Sequence, residues 1–426
     1  MKINPPANPN YAATIVKVPP TIKLDGLDNL VGVPLFGYQA LTQNTTQAGD
    51  LRVLFTAETE LDFEYAREND LHRDESLNVT DGATGYLEKH RRIKAVKLRG
   101  HRSNALLMPL ESLLYTGFNI DTLQPGDTFD ELNGHTICRK YVAPVKEGTP
   151  RRVGPKIKQR IDQKHFPMHV DTEHLFRNLD RFRQPTRVVV TQKLHGTSWR
   201  GGRVPVAREK GRVERFLNRW FPTKDHEHEV VFGSRRVIKG HDGNNHFYDT
   251  DVWTEFGKTI ADRIPEGFLV YGELIGWTLD GDGNASPIQK GYTYNVTTGQ
   301  GAELYVYRVA TINTAGIIAD LSWEGVKEFC ASAGLSHAPE LATDVIWAAR
   351  DDDATIAYYT EQYLDLRLTD RYDNALPLSD RKTVDEGVCV RVEGVVPRIF
   401  KARSPKFLEW ETKALDRGDA DLEATA

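Results

Sequence analysis

The sequence predicts an α+β protein made of two modules. Up to about residue 143, short strand-like runs alternate with glycine and proline, which is typical of a small barrel or sandwich. Beyond residue 166 the strand-like runs are longer and more apolar, and residues 322–368 place apolar side chains at helical spacing. At 426 residues the chain exceeds the usual size of one domain. We therefore expect an N-terminal module over residues 1–145, a basic linker over 146–165 and a second domain over 166–426.

The composition is ordinary for a globular protein, and it argues against a membrane protein. No apolar run approaches the length that spans a bilayer, and the N-terminus lacks the apolar core of a signal peptide. The three cysteines lie far apart, which fits a reducing compartment, so we expect a cytoplasmic protein without a membrane partner. The formal net charge is −5, but residues 151–160 and 398–406 are basic stripes, and a polynucleotide responds to the local charge.

Local patterns predict further elements in both modules. Residues 169–179 predict the start of a helix, with Asp171 or Thr172 as its cap. The charged and aromatic segment 202–228 is predicted to be a helical insert. The strand-like runs of the N-terminal module include residues 13–18, 51–55 and 93–100.

The most informative segment is the tetrapeptide from Lys193 to Gly196, which ends a β-rich run. A lysine amine becomes a nucleophile when burial or neighbouring cations lower its pKa and an electrophile is present. Gly196 allows the backbone to turn sharply and to approach a ligand closely. Taken alone, the segment favours a surface lysine before a turn. The segments that follow it decide between the two interpretations.

Further charged and aromatic side chains follow the lysine on strand-like runs, in a fixed order. Tyr305 and Tyr307 are two residues apart and therefore share one face of their strand. The set consists of Arg235 in residues 231–236, Glu273 in 268–274, Tyr305 and Tyr307 in 304–309, Glu386 in 386–391, and Lys401 and Arg403 in 398–407.

These residue types suit the attack of an amine on the α-phosphorus of a nucleotide. Negative charge grows on the phosphate oxygens as pyrophosphate leaves, and Lys401, Arg403 and Arg235 could balance it. Glu273 and Glu386 could bind a ribose hydroxyl and a divalent ion, because Mg²⁺ favours one or two carboxylates together with substrate phosphates and water. An aromatic ring at position 305 or 307 could stack on the base, and the sequence does not decide which.

The ordered set resembles the covalent nucleotidyltransferases, which include ATP-dependent polynucleotide ligases and mRNA capping enzymes. Their K-x-[DH]-G, G-E, aromatic, E-G and K-x-[KR] motifs match residues 186–413, and the histidine at position 195 is similar to the RNA ligase branch. The resemblance implies an antiparallel, ATP-grasp-like nucleotidyltransferase domain with flanking helices. Residues 96–110 resemble the N-terminal OB-type module of Deinococcus-type RNA ligases, an OB-like β-barrel.

The resemblance also assigns roles to single residues. Lys193 would become linked to AMP, Glu273 would contact ribose, and Glu386 would associate with the metal. Catalytic roles are implied for Lys193, Glu273, Glu386, Lys401 and Arg403, nucleotide contacts for Lys193, His195, Gly196, Arg235, Glu273, Tyr305, Tyr307 and Lys401, and metal contacts for Glu386 and Glu273.

We therefore expect an ATP-dependent RNA ligase that uses Mg²⁺ or Mn²⁺. It would join 3′-hydroxyl and 5′-phosphate RNA ends, at nicks in duplex or hybrid RNA, through a lysyl-AMP intermediate and an adenylylated 5′ end. A monomer is favoured. Two alternatives stay open, a GTP-dependent guanylyltransferase of the capping type and a non-catalytic relic that only binds RNA ends. The intact lysine, glutamates and basic strand argue against the relic.

Overall fold

The computed structural model describes most of both predicted modules. The predicted linker 146–165 and residues 348–375 lie mostly outside the described part of the chain. In the described part, no helix has the length and apolar character needed to cross a membrane. The described residues are 3–143, 161, 163–169, 172–208, 210–218, 220–221, 224–239, 251–347, 362–363, 366, 376–379 and 383–418.

The N-terminal module consists mainly of short strands, as predicted. They are β1 (Ala13–Lys17), β2 (Ile22–Lys23), β3 (Leu30–Leu35), β4 (Tyr38–Gln43), β5 (Leu51–Thr56), β6 (Thr59–Leu61), β7 (Val96–Leu98), β8 (His101–Ser103), β9 (Ala105–Pro109), β10 (Thr128–Phe129), β11 (Glu131–Leu132), β12 (His135–Thr136) and β13 (Cys138–Lys140). One helix, α1 (Phe63–Glu68), starts where the Asp62 side chain accepts a hydrogen bond from the Glu64 backbone N–H.

Seven of these strands form one sheet in the order β10-β1-β5-β9-β4-β3-β2. Only β4 and β9 pair in parallel, through Ala40 and Ala105. In the described residues β10 and β2 form the two edges of this sheet and do not pair with each other. The closed barrel expected for an OB-type module is therefore not confirmed.

The second module contains two larger sheets. Its strands are β14 (Glu173–His174), β15 (Thr186–Lys193), β16 (Thr197–Ala207), β17 (His226–Gly233), β18 (Ile238–Lys239), β19 (Phe268–Leu279), β20 (Ala285–Pro287), β21 (Ala302–Ile312), β22 (Ile318–Asp320), β23 (Ser336–His337), β24 (Glu340–Ile346), β25 (Gly387–Val392) and β26 (Arg398–Arg403). One sheet has the order β14-β26-β25-β15-β24, and the other has the order β18-β17-β16-β19-β21-β22, with β20 on β19 and β23 on β21. This arrangement confirms the α+β prediction.

The described part of the chain gives the bounds of four α-helices beside these sheets, namely α2 (Arg212–Leu217), α3 (Val252–Ile260), α4 (Trp323–Ala333) and α5 (Pro405–Asp416). Helix α4 begins at Ser322, whose side chain accepts from the Gly325 N–H, and ends at Gly334 with φ +61°. Short 3-10 turns occupy Pro9–Tyr11, Glu75–Leu77, Leu110–Thr116, Ile120–Thr122, Leu175–Arg177, Leu179–Phe182 and Ala261–Arg263.

Three helix predictions need correction. Between residues 322 and 347 the chain is helical only over α4, because residues 340–346 form strand β24 along β15, and most of residues 348–368 lie outside the described part of the chain. Residues 169–179 contain strand β14 and a 3-10 turn, since pairing with β26 overrides the local helical pattern. The helical insert predicted over 202–228 shrinks to α2, because β16 continues to Ala207 and β17 begins at His226.

The N-terminal module is joined to α5 by a buried polar network. Arg92 Nη1 lies 2.8 Å from Glu58 Oε2, and both side chains are almost fully buried. Arg92 also donates to the Thr412 carbonyl and to Asp416, while the Thr412 hydroxyl donates to Glu58. Lys94 lies 3.0 Å from Asp416 Oδ1. Arg92 and Lys94 thus connect the N-terminal module to helix α5. The boundaries 1–145 and 166–426 remain a prediction.

Candidate active site

Lys193 lies at the C-terminal end of β15, where it faces a cavity between the two sheets. Residues 188–192 of this strand are buried, and Lys193 pairs in register with Gly387 of β25. Its Nζ lies 2.9 Å from Glu386 Oε1, and its side chain retains 20% exposure. Pairing of β15 with β25 therefore brings the predicted nucleophile beside the predicted metal carboxylate.

The turn after the lysine requires glycine at position 196. A Cβ there would lie 2.1 Å from the Leu274 carbonyl oxygen, far inside van der Waals contact. The Gly196 N–H donates to Glu273 Oε1 at 3.0 Å. The Gly196 carbonyl accepts from Gln289 Nε2 at 3.1 Å. The turn that carries Lys193 is thus hydrogen-bonded to the strand that carries the predicted ribose-binding carboxylate.

His195 does not line the cavity between the sheets, but it borders a larger cleft together with Lys193. Its ring lies edge-on to Tyr292 and Phe407, with centroids 4.9 and 5.1 Å away. Its backbone N–H donates to the Tyr294 hydroxyl at 2.6 Å, and Nδ1 lies 3.6 Å from Glu386 Oε2. This placement suits orientation of Glu386, and the predicted nucleotide contact of His195 stays a prediction.

Glu386 is a buried carboxylate that stays ionised. Burial by itself raises the pKa of Glu386, but the Lys193 ammonium and His195 outweigh burial and lower that pKa to about 2. In the described residues, Glu386 Oε2 is buried without a hydrogen-bond partner. Gly387 follows with φ +146°, and a Cβ there would lie 2.1 Å from the Ala402 carbonyl oxygen. The glycine therefore allows β26 to approach the carboxylate closely.

Lys401 and Arg403 project from the same face of β26, two residues apart. Burial, followed by the nearby Arg403 and Lys193, lowers the pKa of Lys401 to about 8. The Arg403 guanidinium makes a two-oxygen ion pair with Glu411 of α5, at 3.1 and 2.9 Å. Lys401 is thus the cation whose charge depends on pH near neutrality, and the charge of Arg403 is already balanced by a carboxylate.

The cavity between the sheets brings together most of the predicted nucleotide residues. Tyr305 and Tyr307 both line this cavity. The pairing of β21 with β19 shifts register between Tyr271 and Gly272. The Tyr305 hydroxyl donates to Glu303 at 3.3 Å, and the Tyr307 hydroxyl lies 2.5 Å from His169 Nδ1. The lining residues are His169, Thr172, Thr191, Gln192, Lys193, Leu194, Ser198, Arg235, Tyr271, Glu273, Tyr305, Tyr307, Arg308, Trp323, Ala338, Cys389, Arg391 and Ile399.

Several cavity residues lie outside the set of site residues predicted from the sequence. Cys389 pairs in register with Lys401 and faces the cavity, and burial raises the pKa of its thiol to about 11. Arg391 lies two residues further on β25 and donates to the Leu321 carbonyl at 2.7 Å. The two-residue periodicity of β25 could have indicated both. His169 could not have been found, because its contact with Tyr307 spans 138 residues.

A second, larger cleft of about 1040 Å³ opens between the N-terminal module and the lysine. Arg235 borders both this cleft and the cavity between the sheets. Arg177, missed from the sequence, lies in the cleft wall and donates to the Pro9 carbonyl at 3.0 Å. Cations outnumber carboxylates along the wall, with Lys140, Arg177, Lys193, Arg235, Arg236, Lys401 and Arg403 against Glu173, Glu386 and Glu411. The cleft thus favours a polyanion next to the lysine.

The charged residues between the two sheets form a candidate nucleotide-binding site, and comparison with known sequences shows the class of enzyme. The profile of the RNA ligase family matches residues 186–403, just over half of the chain, so the protein belongs to the RNA ligase family. No curated protein matches the chain significantly.

Solved structures of an RNA ligase from Naegleria gruberi share the fold. A lysine-to-methionine variant with AMP and Mn is 16% identical, with a TM-score of 0.56 over 93% of this chain and 98% of that one. A lysine-to-alanine variant with ATP and Mn is 16% identical, with a TM-score of 0.57 over the same shares. The complex with pyrophosphate is 16% identical, with a TM-score of 0.56 over 94% of this chain and 98% of that one.

Proposed function

We propose that this RNA ligase uses ATP and a divalent metal to seal 3′-hydroxyl and 5′-phosphate ends through a lysyl-AMP intermediate on Lys193. The observation that carries the proposal is the placement of Lys193 Nζ 2.9 Å from Glu386, at the border of the cavity and the cationic cleft. The structurally similar Naegleria ligase with ATP, AMP or pyrophosphate supports the choice of nucleotide.

In the first transfer the neutral Lys193 amine attacks the α-phosphorus of ATP. The N–P bond forms, the bond to the β-phosphate oxygen breaks, pyrophosphate leaves, and the amine proton is lost. Lys401 would balance the charge on the α-phosphate, and Glu273 would orient the ribose. Tyr305 or Tyr307 would stack on adenine, and the hydrogen bond of Tyr307 to His169 fixes that ring more firmly.

Two further transfers complete the joining reaction. An oxygen of the RNA 5′-phosphate attacks the phosphorus of lysyl-AMP, which forms a 5′–5′ pyrophosphate and returns the lysine amine. The 3′-hydroxyl oxygen then attacks the 5′-phosphorus, forms the phosphodiester bond and releases AMP. The cationic cleft beside Lys193 would hold the RNA ends for both steps.

The residues present fit a divalent ion such as Mg²⁺ or Mn²⁺. Glu386 offers a buried oxygen without a protein hydrogen-bond partner in the described residues. Glu273 is the second predicted carboxylate, although one of its oxygens already accepts from Gly196. In the described part of the chain no three acidic, histidine or cysteine side chains cluster as a protein-only metal site. When bound, the ion would supply neutralisation of phosphate charge.

The proposal extends to the substrate, the oligomeric state and the domain organisation. We propose nicks in duplex or hybrid RNA as substrate, a monomeric enzyme, and domains at 1–145 and 166–426. We also propose that the N-terminal module is of the OB type found in Deinococcus-type ligases. Its meander β2-β3-β4 and its one parallel pair support that assignment, and the open sheet does not.

The test is covalent labelling. The protein, first stripped of pre-bound AMP with pyrophosphate, is incubated with α-³²P-ATP and Mg²⁺ or Mn²⁺ and run on a denaturing gel. We expect a labelled band that is lost in Lys193→Ala and is not reproduced with GTP. A label from GTP instead would support a capping-type enzyme, and no label from either nucleotide would overturn the proposal.

A further inference from the structure

The turn that carries Lys193 lies between two strand pairings. In the described part of the chain, the pairing of β15 with β25 ends at Lys193, and the pairing of β16 with β19 begins at Thr197. The backbone of residues 194–196 therefore lies outside the ladders of both sheets. Backbone groups outside a ladder need other hydrogen-bond partners, and these partners help to fix the direction in which the lysine side chain leaves its strand.

Two of these partners come from one loop. The His195 N–H donates to the Tyr294 hydroxyl at 2.6 Å. The Gly196 carbonyl accepts from Gln289 Nε2 at 3.1 Å. Tyr294 and Gln289 belong to the segment between β20 and β21, and we call residues 288–297 the β20–β21 loop. This loop thus binds the lysine turn at two successive residues.

The same loop also contacts the segment that leads to Glu386. The Tyr292 hydroxyl donates to the Val384 carbonyl at 2.5 Å, two residues before the carboxylate. Tyr292 and Tyr294 are buried, and they pack with Leu194 in one apolar cluster. The β20–β21 loop is therefore connected to both sides of the ion pair between the lysine and the carboxylate.

The backbone of the loop is unfavourable at Tyr294. Residues 293–296 form a turn, closed by a hydrogen bond of 2.9 Å from the Val296 N–H to the Thr293 carbonyl. The two central residues, Tyr294 and Asn295, have φ of +51° and +61°, where glycine, asparagine and aspartate are usual and a bulky side chain is rare. Unfavourable backbone of this kind persists where the surroundings hold it, and it concentrates at functional sites. A tyrosine kept in this conformation therefore points to a role for its side chain.

The Tyr294 hydroxyl is a neutral hydrogen-bond acceptor in a buried place. Burial raises the pKa of Tyr294 well above its usual range, so the hydroxyl stays protonated at ordinary assay pH. Phenylalanine at this position would keep the ring and its packing, but it would leave the His195 N–H without this acceptor. Because a shielded N–H without an acceptor is unfavourable, the turn would rearrange to find another partner.

We propose that Tyr294 is a positioning residue for the nucleophile, which holds the lysine turn through the His195 N–H so that Lys193 Nζ is aimed at the α-phosphorus of ATP. Misplacement of a reacting group by about 1 Å lowers a rate by about 10²-fold. Loss of the hydroxyl should therefore slow the chemical step at saturating ATP and leave the ATP concentration for half-maximal rate nearly unchanged. The inference rests on the proposed attack of Lys193 on ATP.

The test compares wild type with Tyr294→Phe and with Gln289→Met, which removes the other hydrogen bond from the loop to the turn. The matched control is Tyr65→Phe, because Tyr65 is buried in the N-terminal module and its hydroxyl donates to Ser112 at 2.9 Å. The rate constant and the amplitude of single-turnover lysyl-AMP formation are measured over a range of ATP concentrations, beside thermal unfolding of each protein. A loss of folded enzyme lowers the amplitude, whereas misplacement of the lysine lowers the rate constant.

For Tyr294→Phe we expect the rate constant at saturating ATP to fall by about tenfold or more, with the half-saturating ATP concentration within about twofold of wild type. Gln289→Met should show the same selective loss, and Tyr65→Phe should react like wild type even where its unfolding temperature falls. A wild-type rate constant in Tyr294→Phe would overturn the inference, and so would a wild-type rate constant in Gln289→Met if Tyr294→Phe does not fold. A raised half-saturating ATP concentration with an unchanged rate constant would also overturn it, in favour of a role in nucleotide binding. Failure of the wild type to form lysyl-AMP would instead contradict the proposed function.

Discussion

The lowered pKa of Lys401 makes the first chemical step sensitive to alkaline pH. A lysine with a pKa of about 8 is mostly charged at pH 7 and mostly neutral at pH 9. The charged fraction falls from about nine tenths to about one tenth over this range, as follows for one titrating group. If this charge stabilises the α-phosphate, the rate of lysyl-AMP formation should lose about tenfold for each pH unit well above 8.

Replacement of Lys401 by arginine isolates this effect. Arginine stays charged throughout the accessible range, so the decline above pH 8 should disappear in Lys401→Arg even if the absolute rate falls. Lys406→Arg is the matched control, because Lys406 lies five residues away and is exposed.

The assay is single-turnover formation of lysyl-AMP between pH 6 and pH 10 at saturating ATP. An alkaline decline in wild type and in the control variant, and its absence in Lys401→Arg, would support the assignment. A wild-type profile without an alkaline decline would refute the proposed role of this lysine. An unchanged decline in Lys401→Arg would show that another group titrates there.

Three further substitutions test the geometry. Gly196→Ala should lower the free energy of unfolding by about 1–3 kcal/mol in thermal denaturation, because the new methyl group meets a backbone carbonyl. Gly211→Ala is the control and should leave the free energy of unfolding unchanged, because a Cβ there meets nothing within 4 Å. Arg92→Met should cost about 3–5 kcal/mol in chemical unfolding, because Glu58 is left buried and unpaired; an unfolding free energy like wild type would contradict the docking network. Glu386→Gln should slow lysyl-AMP formation by about 10²-fold or more in the labelling assay while the protein stays folded, and a wild-type rate would exclude an electrostatic role.

The residues around the lysine were predictable because their strands are long and their periodicity is simple. Lys193, Glu386 and Lys401 lie on three adjacent strands, β15, β25 and β26, or at their ends, and each pattern fixes which side chains share a face. Once the strands pair, the charged side chains meet. The order of the motifs indicated that these strands belong to one site, whereas the local pattern of a single strand does not show which strands are neighbours.

The contacts missed from the sequence are those between distant segments. The pairing of Arg403 with Glu411 depends on how α5 packs back on β26, whereas the prediction assigned Arg403 to the charge of the α-phosphate. Residues 173–174 have a helical pattern around them but pair with β26, more than 220 residues away in the chain. Such tertiary hydrogen bonds outweigh propensities of a few tenths of a kcal/mol per residue.

The ion pair between Lys193 and Glu386 restricts the role of the glutamate. An ammonium held by a carboxylate cannot attack phosphorus until its proton leaves. Glu386, with a pKa of about 2, is a poor acceptor for that proton at neutral pH. Its buried charge can instead orient the lysine and attract a cation. We therefore expect Glu386 to act through its charge rather than as a general base.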